Sequence, residues 1–517
     1  MDTTVKTLQG ELRGRLVDGI HVFLGVPYAA PPFGANRLMP PQPLEPWSGV
    51  RSASALGPEP PQAAPPTVGG SEAGATEDWE DVNAAFAAVE RAAASEDCLN
   101  LNIWTPDPGA ARLPVMVWIQ GGMFELSSTA AYDGRSFARD GVVCVVINWR
   151  PGAEGFLYLA DGVANVGLLD QVAALEWVRE TIAVFGGDPD NVTVFGESAG
   201  AMSIGVLLAM PRAEGLFRRA ILESGAAHHV TPAKDALRIG AYLADRLSVP
   251  PDRQAMAAVR VDRFIAAQAA LKQELMRNPD PDRWGSDLVA SNMPWAPTVD
   301  GMVVPSPPIE RITAGAGGDV DVIVGTNTDD WRLWLVASGA IGHVTDDMLT
   351  GPVVDYGYQS LAAYGLEGKD ALAAYRSRYP DLGPGDLLAT VQTDWWMRLP
   401  ALLLTDGRLR AGARGRTYMY EFAWPSPGLG AVHALEVPFV FDIARPDLPL
   451  FGGLLGPEPP QELARTMHAE WVAFATSGDP GWPAYDLSRR ATMRFDLSPT
   501  VVEDPRNWER DFWEGRR

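Results

Sequence analysis

The chain has 517 residues, 46% of them hydrophobic and 21% charged, the values of a globular protein large enough to enclose a deep pocket. Its 42 Lys and Arg are outnumbered by 65 Asp and Glu, and the net charge of −23 argues against nucleic acid or an anionic membrane as partner. Two cysteines, Cys98 and Cys144, exclude a disulfide scaffold and a cysteine-rich metal site. In chain order, Met1 to Lys6 carries no apolar segment behind a basic one. No later apolar run approaches the ~18 residues that span a bilayer, so a cytoplasmic location without a membrane partner is expected. Residues 57–78, rich in Pro and Gly, read as a flexible surface loop within one domain covering residues 1–517. Residues 115–119 form a buried-strand candidate that ends at Gly121-Gly122, and residues 142–147 form another. Leu168, Val172, Leu175, Val178 and Ile182 recur at helical spacing, which predicts a helix from about 165 to 185. A strand at 191–195, a turn and a helix-like stretch at 201–210 follow. Residues 278–292 read as a second mobile loop, and strands are expected at 220–222, 320–324 and 418–422. Strand and helix in alternation predict an α/β fold, a large, mostly parallel central sheet flanked by helices.

The sharpest motif is Gly196-Glu197-Ser198-Ala199-Gly200, placed between the predicted strand and the predicted helix. That context is what a nucleophile elbow requires: a tight turn that holds a serine hydroxyl out at the sheet edge, beside the amides that open a helix. A serine is a poor nucleophile until a base takes its proton, and the base must be oriented by an acid. Among six histidines, His433 lies on a loop after the last predicted strand, where the chain order Ser, acid, His would put the base. The acid should lie between, just past a strand; Asp329 and Asp330 both qualify, and spacing does not choose between them. Acyl transfer also needs amide donors aimed at the developing oxyanion. Ala199 supplies one from the elbow, and the loop Gln120-Gly121-Gly122-Met123-Phe124 can turn others inward.

These motifs, taken together, resemble the type-B carboxylesterases, the α/β-hydrolase family of para-nitrobenzyl esterases, animal carboxylesterases and cholinesterases. The resemblance runs through Phe23-Leu24-Gly25-Val26-Pro27-Tyr28, through Glu96-Asp97-Cys98-Leu99-Asn100-Leu101-Asn102, through the elbow, and through residues 471–480 and 483–485. It implies an α/β-hydrolase fold, with Ser198 as nucleophile and His433 as base. Its Gly-x-Asn-x-Asp-Glu pattern lands on Asp330, where most relatives carry Glu. It places the oxyanion donors on the backbone N–H groups of Gly122, Met123 and Ala199. Glu197 would then lie at the base of the substrate gorge, and Trp118, Trp149, Trp331, Trp334, Trp395 and Trp396 fall in or near active-site segments. Some of these would line an apolar pocket, although core packing is the simpler reading of any single one. His228 and His229 follow a strand end, from which they could approach the site, but surface-loop residues are the simpler reading.

The family departs here at Gln120, usually His or Tyr, and at Met123, usually Gly or Ala; the Met123 side chain is expected to disfavour bulky tertiary-alcohol esters. The disulfide that secreted relatives form at the Cys98 position has no upstream partner here. The resulting expectation is a serine hydrolase that cleaves small-molecule carboxylic esters with apolar or aromatic groups through an acyl-enzyme, with no cofactor and no metal. The same triad could instead serve acyl transfer, the cleavage of lactones, amides or carbamates, or a biosynthetic tailoring step. A non-catalytic, cholinesterase-like binding protein is disfavoured because all three triad residues are retained.

Overall fold

The computed structural model describes residues 2–63, 94–351, 359–366 and 368–516, so most of the expected 57–78 loop lies outside the described residues. The described residues hold fifteen strands in chain order: β1 (Asp2–Lys6), β2 (Glu11–Val17), β3 (Ile20–Pro27), β4 (Val50–Ser52), β5 (Asn100–Thr105), β6 (Leu113–Ile119), β7 (Val143–Ile147), β8 (Gly187–Glu197), β9 (Arg219–Glu223), β10 (Thr231–Pro232), β11 (Thr298–Val299), β12 (Asp321–Asn327), β13 (Thr417–Phe422), β14 (Ala491–Phe495) and β15 (Thr500–Glu503). Thirteen of them form one sheet in the order β1-β2-β3-β5-β7-β6-β8-β9-β12-β13-β14-β15, with β4 paired to β2. The pairs from β7 across to β14 are parallel, while the remaining pairs along the two ends of that order are antiparallel.

Period-two side-chain alternation divides the interior between the two faces of this sheet. Val115, Val117 and Ile119 of β6, and Val143, Val145 and Ile147 of β7, join one core. Met116 and Trp118, and Cys144 and Val146, point into the other. Strands buried on both faces explain why these segments read as unbroken apolar runs rather than as alternating ones.

The expected helix appears as Val166–Thr181 with a tighter turn at Ile182–Phe185, and the helix after the elbow as Ala199–Ala209. One expectation is corrected. Residues 278–292 are not a structureless loop: they carry the helical turns Pro281–Trp284 and Ser286–Ser291, which bury Trp284 and Leu288 in the core. The Pro and Asp residues that suggested a loop act instead as helix starts, with Asp280 accepting from the amide of Asp282. No helix among the described residues is long and apolar enough to cross a membrane.

Candidate active site

Strand β8 ends at Glu197, the helix Ala199–Ala209 begins at the second residue after it, and Ser198 alone makes the turn. Its backbone sits at φ 56° and ψ −124°, a region that L-residues avoid and that persists only where the surroundings impose it. They do so here by crowding. A Cβ on Gly200 would lie 1.8 Å from the carbonyl oxygen of Ile119, and one on Gly196 2.4 Å from the same atom. The motif glycines let the elbow close against the end of β6. The Ser198 amide donates to the carbonyl of Glu223 at 2.9 Å, which pins the turn to β9 as well. Among the described residues the Ser198 hydroxyl makes no side-chain hydrogen bond, and the residue is 6% exposed.

Strand register levels the rest of the site with this turn. Asn327 closes β12 directly beside Phe422, the last residue of β13, so the loops after both strands leave the same end of the sheet. The first carries Asp330 and the second His433. Their side chains meet, with Nδ1 of His433 2.8 Å from Oδ1 of Asp330, and the backbone amide of His433 donates to the carbonyl of Asp330 at 3.2 Å. Asp330 is fully buried, and its Oδ2 accepts from the amide of Asn327 at 2.9 Å and from the hydroxyl of Ser224 at 3.2 Å. The shorter carboxylate therefore reaches the imidazole. Asp329 turns elsewhere and accepts from the amide of Ala431, bracing the loop that carries His433.

The other ring nitrogen of His433 does not hydrogen-bond to Ser198. Nε2 lies 2.8 Å from Oε1 of Glu197, off the axis of a hydrogen bond, so the contact is ionic in kind. Burial on its own lowers the imidazole's proton affinity, but the charge of Glu197 and the hydrogen bond to Asp330 outweigh it and raise the pKa well above 6.5. Behind this pair stand two further buried carboxyls. Glu436 takes the side-chain amide of Asn327, and Glu223 accepts from the indole of Trp471 at 2.8 Å. Burial raises both pKa values, and neighbouring carboxylates, chiefly Glu197 for Glu436 and Glu436 for Glu223, raise them further. Neither of these two was singled out from sequence, although Glu436 stands three residues past His433.

The Gly122 to Phe124 loop folds back over the elbow. A Cβ on Gly121 would touch Oε2 of Glu197 and Cβ of Ser198, each at 2.9 Å. Gly122 (φ 123°), Met123 (φ 55°) and Phe124 (φ 58°) are all left-handed, and Glu125 and Leu126 donate back to the carbonyl of Gly122. The amides of Gly122, Met123 and Ala199 donate to no other group among the described residues. Gln120 is buried and ties the loop's far end, its Nε2 donating to Ser127 at 2.7 Å.

The six tryptophans singled out in the sequence divide into two sets. Trp118 packs against Phe195 and Phe441, and Trp149 against Phe124 and Phe156. The others form a row. Trp334 lies over His433 at 4.8 Å between ring centroids, Trp331 against Trp334 at 4.3 Å, and Trp396 against Trp331 at 4.4 Å. His229 then stacks on Trp396 at 4.7 Å, with Trp395 edge-on beside both. His229 is thus buried rather than on a surface loop, because the aromatic faces cover it. It helps to line a cavity of about 360 Å³ together with His228, Ser291, Met293 and Trp395. Of the remaining histidines, His21 pairs with Thr3, and His468 with Val440 and Asp140, away from these groups. Among the described residues no cluster of three or more His, Cys, Asp or Glu is arranged to hold a metal ion.

Comparison with known proteins gives one answer. The model of the Carboxylesterase family matches residues 1–513. The para-nitrobenzyl esterase of Bacillus subtilis (strain 168) is 34% identical over 98% of this chain and 97% of its own length. Carboxylesterase 1E of Rattus norvegicus is also 34% identical, over 98% of this chain and 93% of its own. Among solved structures, a Geobacillus stearothermophilus carboxylesterase superposes with a TM-score of 0.81 at 34% identity, covering 99% of this chain and all of that one. A para-nitrobenzyl (PNB) esterase structure follows with a TM-score of 0.79 at 31% identity, covering 99% of each chain.

Proposed function

The chain belongs to the carboxylesterase family, and from that membership we propose that Ser198, His433 and Asp330 are the catalytic triad of its serine-dependent ester hydrolysis. The amides of Gly122, Met123 and Ala199 form the oxyanion hole. The observation that carries this reading is the strained turn at Ser198, held at φ 56° and preceded by Glu197, whose carboxylate meets the imidazole that Asp330 already grips at 2.8 Å.

The reaction runs in two halves. Nε2 of His433 takes the proton of the Ser198 hydroxyl as the oxygen attacks the ester carbonyl, and the carbonyl π electrons move onto oxygen. The three amides stabilise that oxyanion. The tetrahedral adduct collapses, the bond to the alcohol oxygen breaks, and Nε2–H returns its proton to the departing alcohol. Water then repeats the sequence on the acyl-serine, leaving the acid and a reprotonated Ser198. Asp330 holds the imidazole through Nδ1–H and stabilises its charged form at each transfer. Glu197 meets the nitrogen that must face the serine and favours the charged ring, so each cycle starts from the neutral ring, after that proton has passed to solvent.

The substrates are carboxylic esters with apolar or aromatic groups, seated in the 360 Å³ cavity that Trp395 and Met293 help to line, a volume in the size range of small-molecule sites. The two cores share one sheet, which supports a single catalytic unit rather than separate domains. Intact-mass analysis after treatment with an organophosphate ester tests the assignment. One adduct is expected on the wild type and none on Ser198→Ala; an adduct of equal mass on both would place the nucleophile elsewhere.

A further inference from the structure

The left-handed turn through Met123 and Phe124 is unfavourable for residues with a Cβ, so something outside the loop must hold it. The helix Val261–Arg277 meets the loop's supports at two points four residues apart, hence on one face. Gln268 Oε1 accepts from the amide of Ala153 at 2.8 Å, and the neighbouring Gly152 amide donates to the carbonyl of Phe124 at 2.6 Å. One turn on, Lys272 Nζ donates to Oε1 of Glu125 and to the carbonyl of Asn292, each at 2.6 Å. Glu125 is the second residue after Met123. Asn292 ends the helix Ser286–Ser291, whose Asp287, Leu288 and Ser291 line the 360 Å³ cavity. Both partners of the ion pair are largely covered, with side-chain exposures of 19% and 28%, so solvent screens it less than a surface pair.

We propose that Lys272 is a positioning residue of the esterase reaction. Its ammonium bolts the loop that bears the Gly122 and Met123 amides to the cavity wall and fixes where those donors point. The proposal rests on the oxyanion-hole reading above. Loss of the bolt leaves Ser198, His433 and Asp330 in place but lets the donors swing, which weakens transition-state binding more than substrate binding.

The test compares Lys272→Met, Glu125→Gln and the double variant on para-nitrophenyl acetate, and measures inhibition by an aryl trifluoromethyl ketone. That ketone adds the serine oxygen to its carbonyl and sets an oxyanion among the same donors. Each single variant is expected to lose about tenfold in kcat with KM shifted less than about twofold, and to bind the ketone weaker by the factor lost in kcat/KM. The double variant should be no worse than either single one, and Lys272→Arg should recover most of the loss. Full kcat and ketone affinity in Lys272→Met, with or without a lower Tm, would overturn the proposal. Gly122→Ala separates the two readings, because its Cβ would lie 2.5 Å from the carbonyl of Leu126 and displace the donors directly. If Gly122→Ala loses activity and ketone affinity while Lys272→Met keeps both, only the bolt fails. If both variants keep both, the loop is not the oxyanion hole.

Discussion

Glu197 Oε1 stands 2.8 Å from Nε2 of His433 while Asp330 Oδ1 stands 2.8 Å from Nδ1, so a carboxylate faces each nitrogen of one buried imidazole. The charged ring is favoured, and its pKa lies above the ordinary 6.5. A general base must be neutral, so the acid limb of kcat/KM against pH is expected above pH 6.5. Glu197→Gln removes the largest favourable charge and should move that limb to lower pH. Stability follows the same sign. A raised folded-state pKa gives a contribution fully present below the unfolded value and lost as pH rises through the folded one. The Tm advantage of the wild type over Glu197→Gln should therefore shrink as pH rises through that interval. An acid limb that stays put in Glu197→Gln would mean the proton is held by other groups.

The two neighbouring aspartates should behave differently. Asp330 accepts from His433, Asn327 and Ser224, so Asp330→Asn sets an amide N–H against donors and misorients the ring. A loss of about 10³–10⁴ in kcat is expected, as in other triads that lose the acid. Asp329→Asn keeps an oxygen for the amide of Ala431 and should leave kcat within the same order of magnitude. Steady-state kinetics on one aryl ester decides between the two positions, and the reverse ranking would transfer the acid role to Asp329.

Met123 is half-buried at the front of the loop, its backbone held at φ 55°. Met123→Gly removes a side chain from the space beside the reacting carbonyl and relaxes the backbone. The rate on a tertiary-alcohol ester, relative to a primary-alcohol ester of the same acid, should rise. An unchanged ratio would remove Met123 from substrate selection.

Gly200→Ala brings a Cβ to 1.8 Å from the Ile119 carbonyl, a backbone atom that cannot rotate away. Either β6 or the elbow must shift, and the cost should exceed the ~1–3 kcal/mol usual for an extra methylene in a packed core. Urea unfolding, read beside the organophosphate titre, checks this: wild-type stability together with a full titre would contradict the crowding described for the turn.

How far the sequence could be read depended on whether a residue's partners were nearby in the chain or brought close only by folding. The elbow was legible because strand, glycines and helix all lie within a few residues, and the parallel sheet because its strands are continuous apolar runs. Asp329 and Asp330 could not be told apart by spacing, since what separates them is that one faces Ser224 and His433 and the other Ala431. Residues 278–292 read as a loop because Pro and Asp mark helix starts as well as turns. The tryptophans of the row stood out in the sequence, but their stacking from His229 to His433, like the link from Lys272 to Glu125, had no local signal. They join segments far apart in the chain, 147 residues in the second case, and meet only in the folded molecule.

The order of the strands has a consequence for synthesis. Ser198 and the turn that strains it are complete when β9 has docked on β8, yet the imidazole arrives only after β13 takes its place beside β12. A ribosome adding residues from the amino end thus releases Ser198 long before His433, the base of the proposed triad. Under that assignment the half-made polypeptide already carries its serine turn while the partner that would arm it is still to be made.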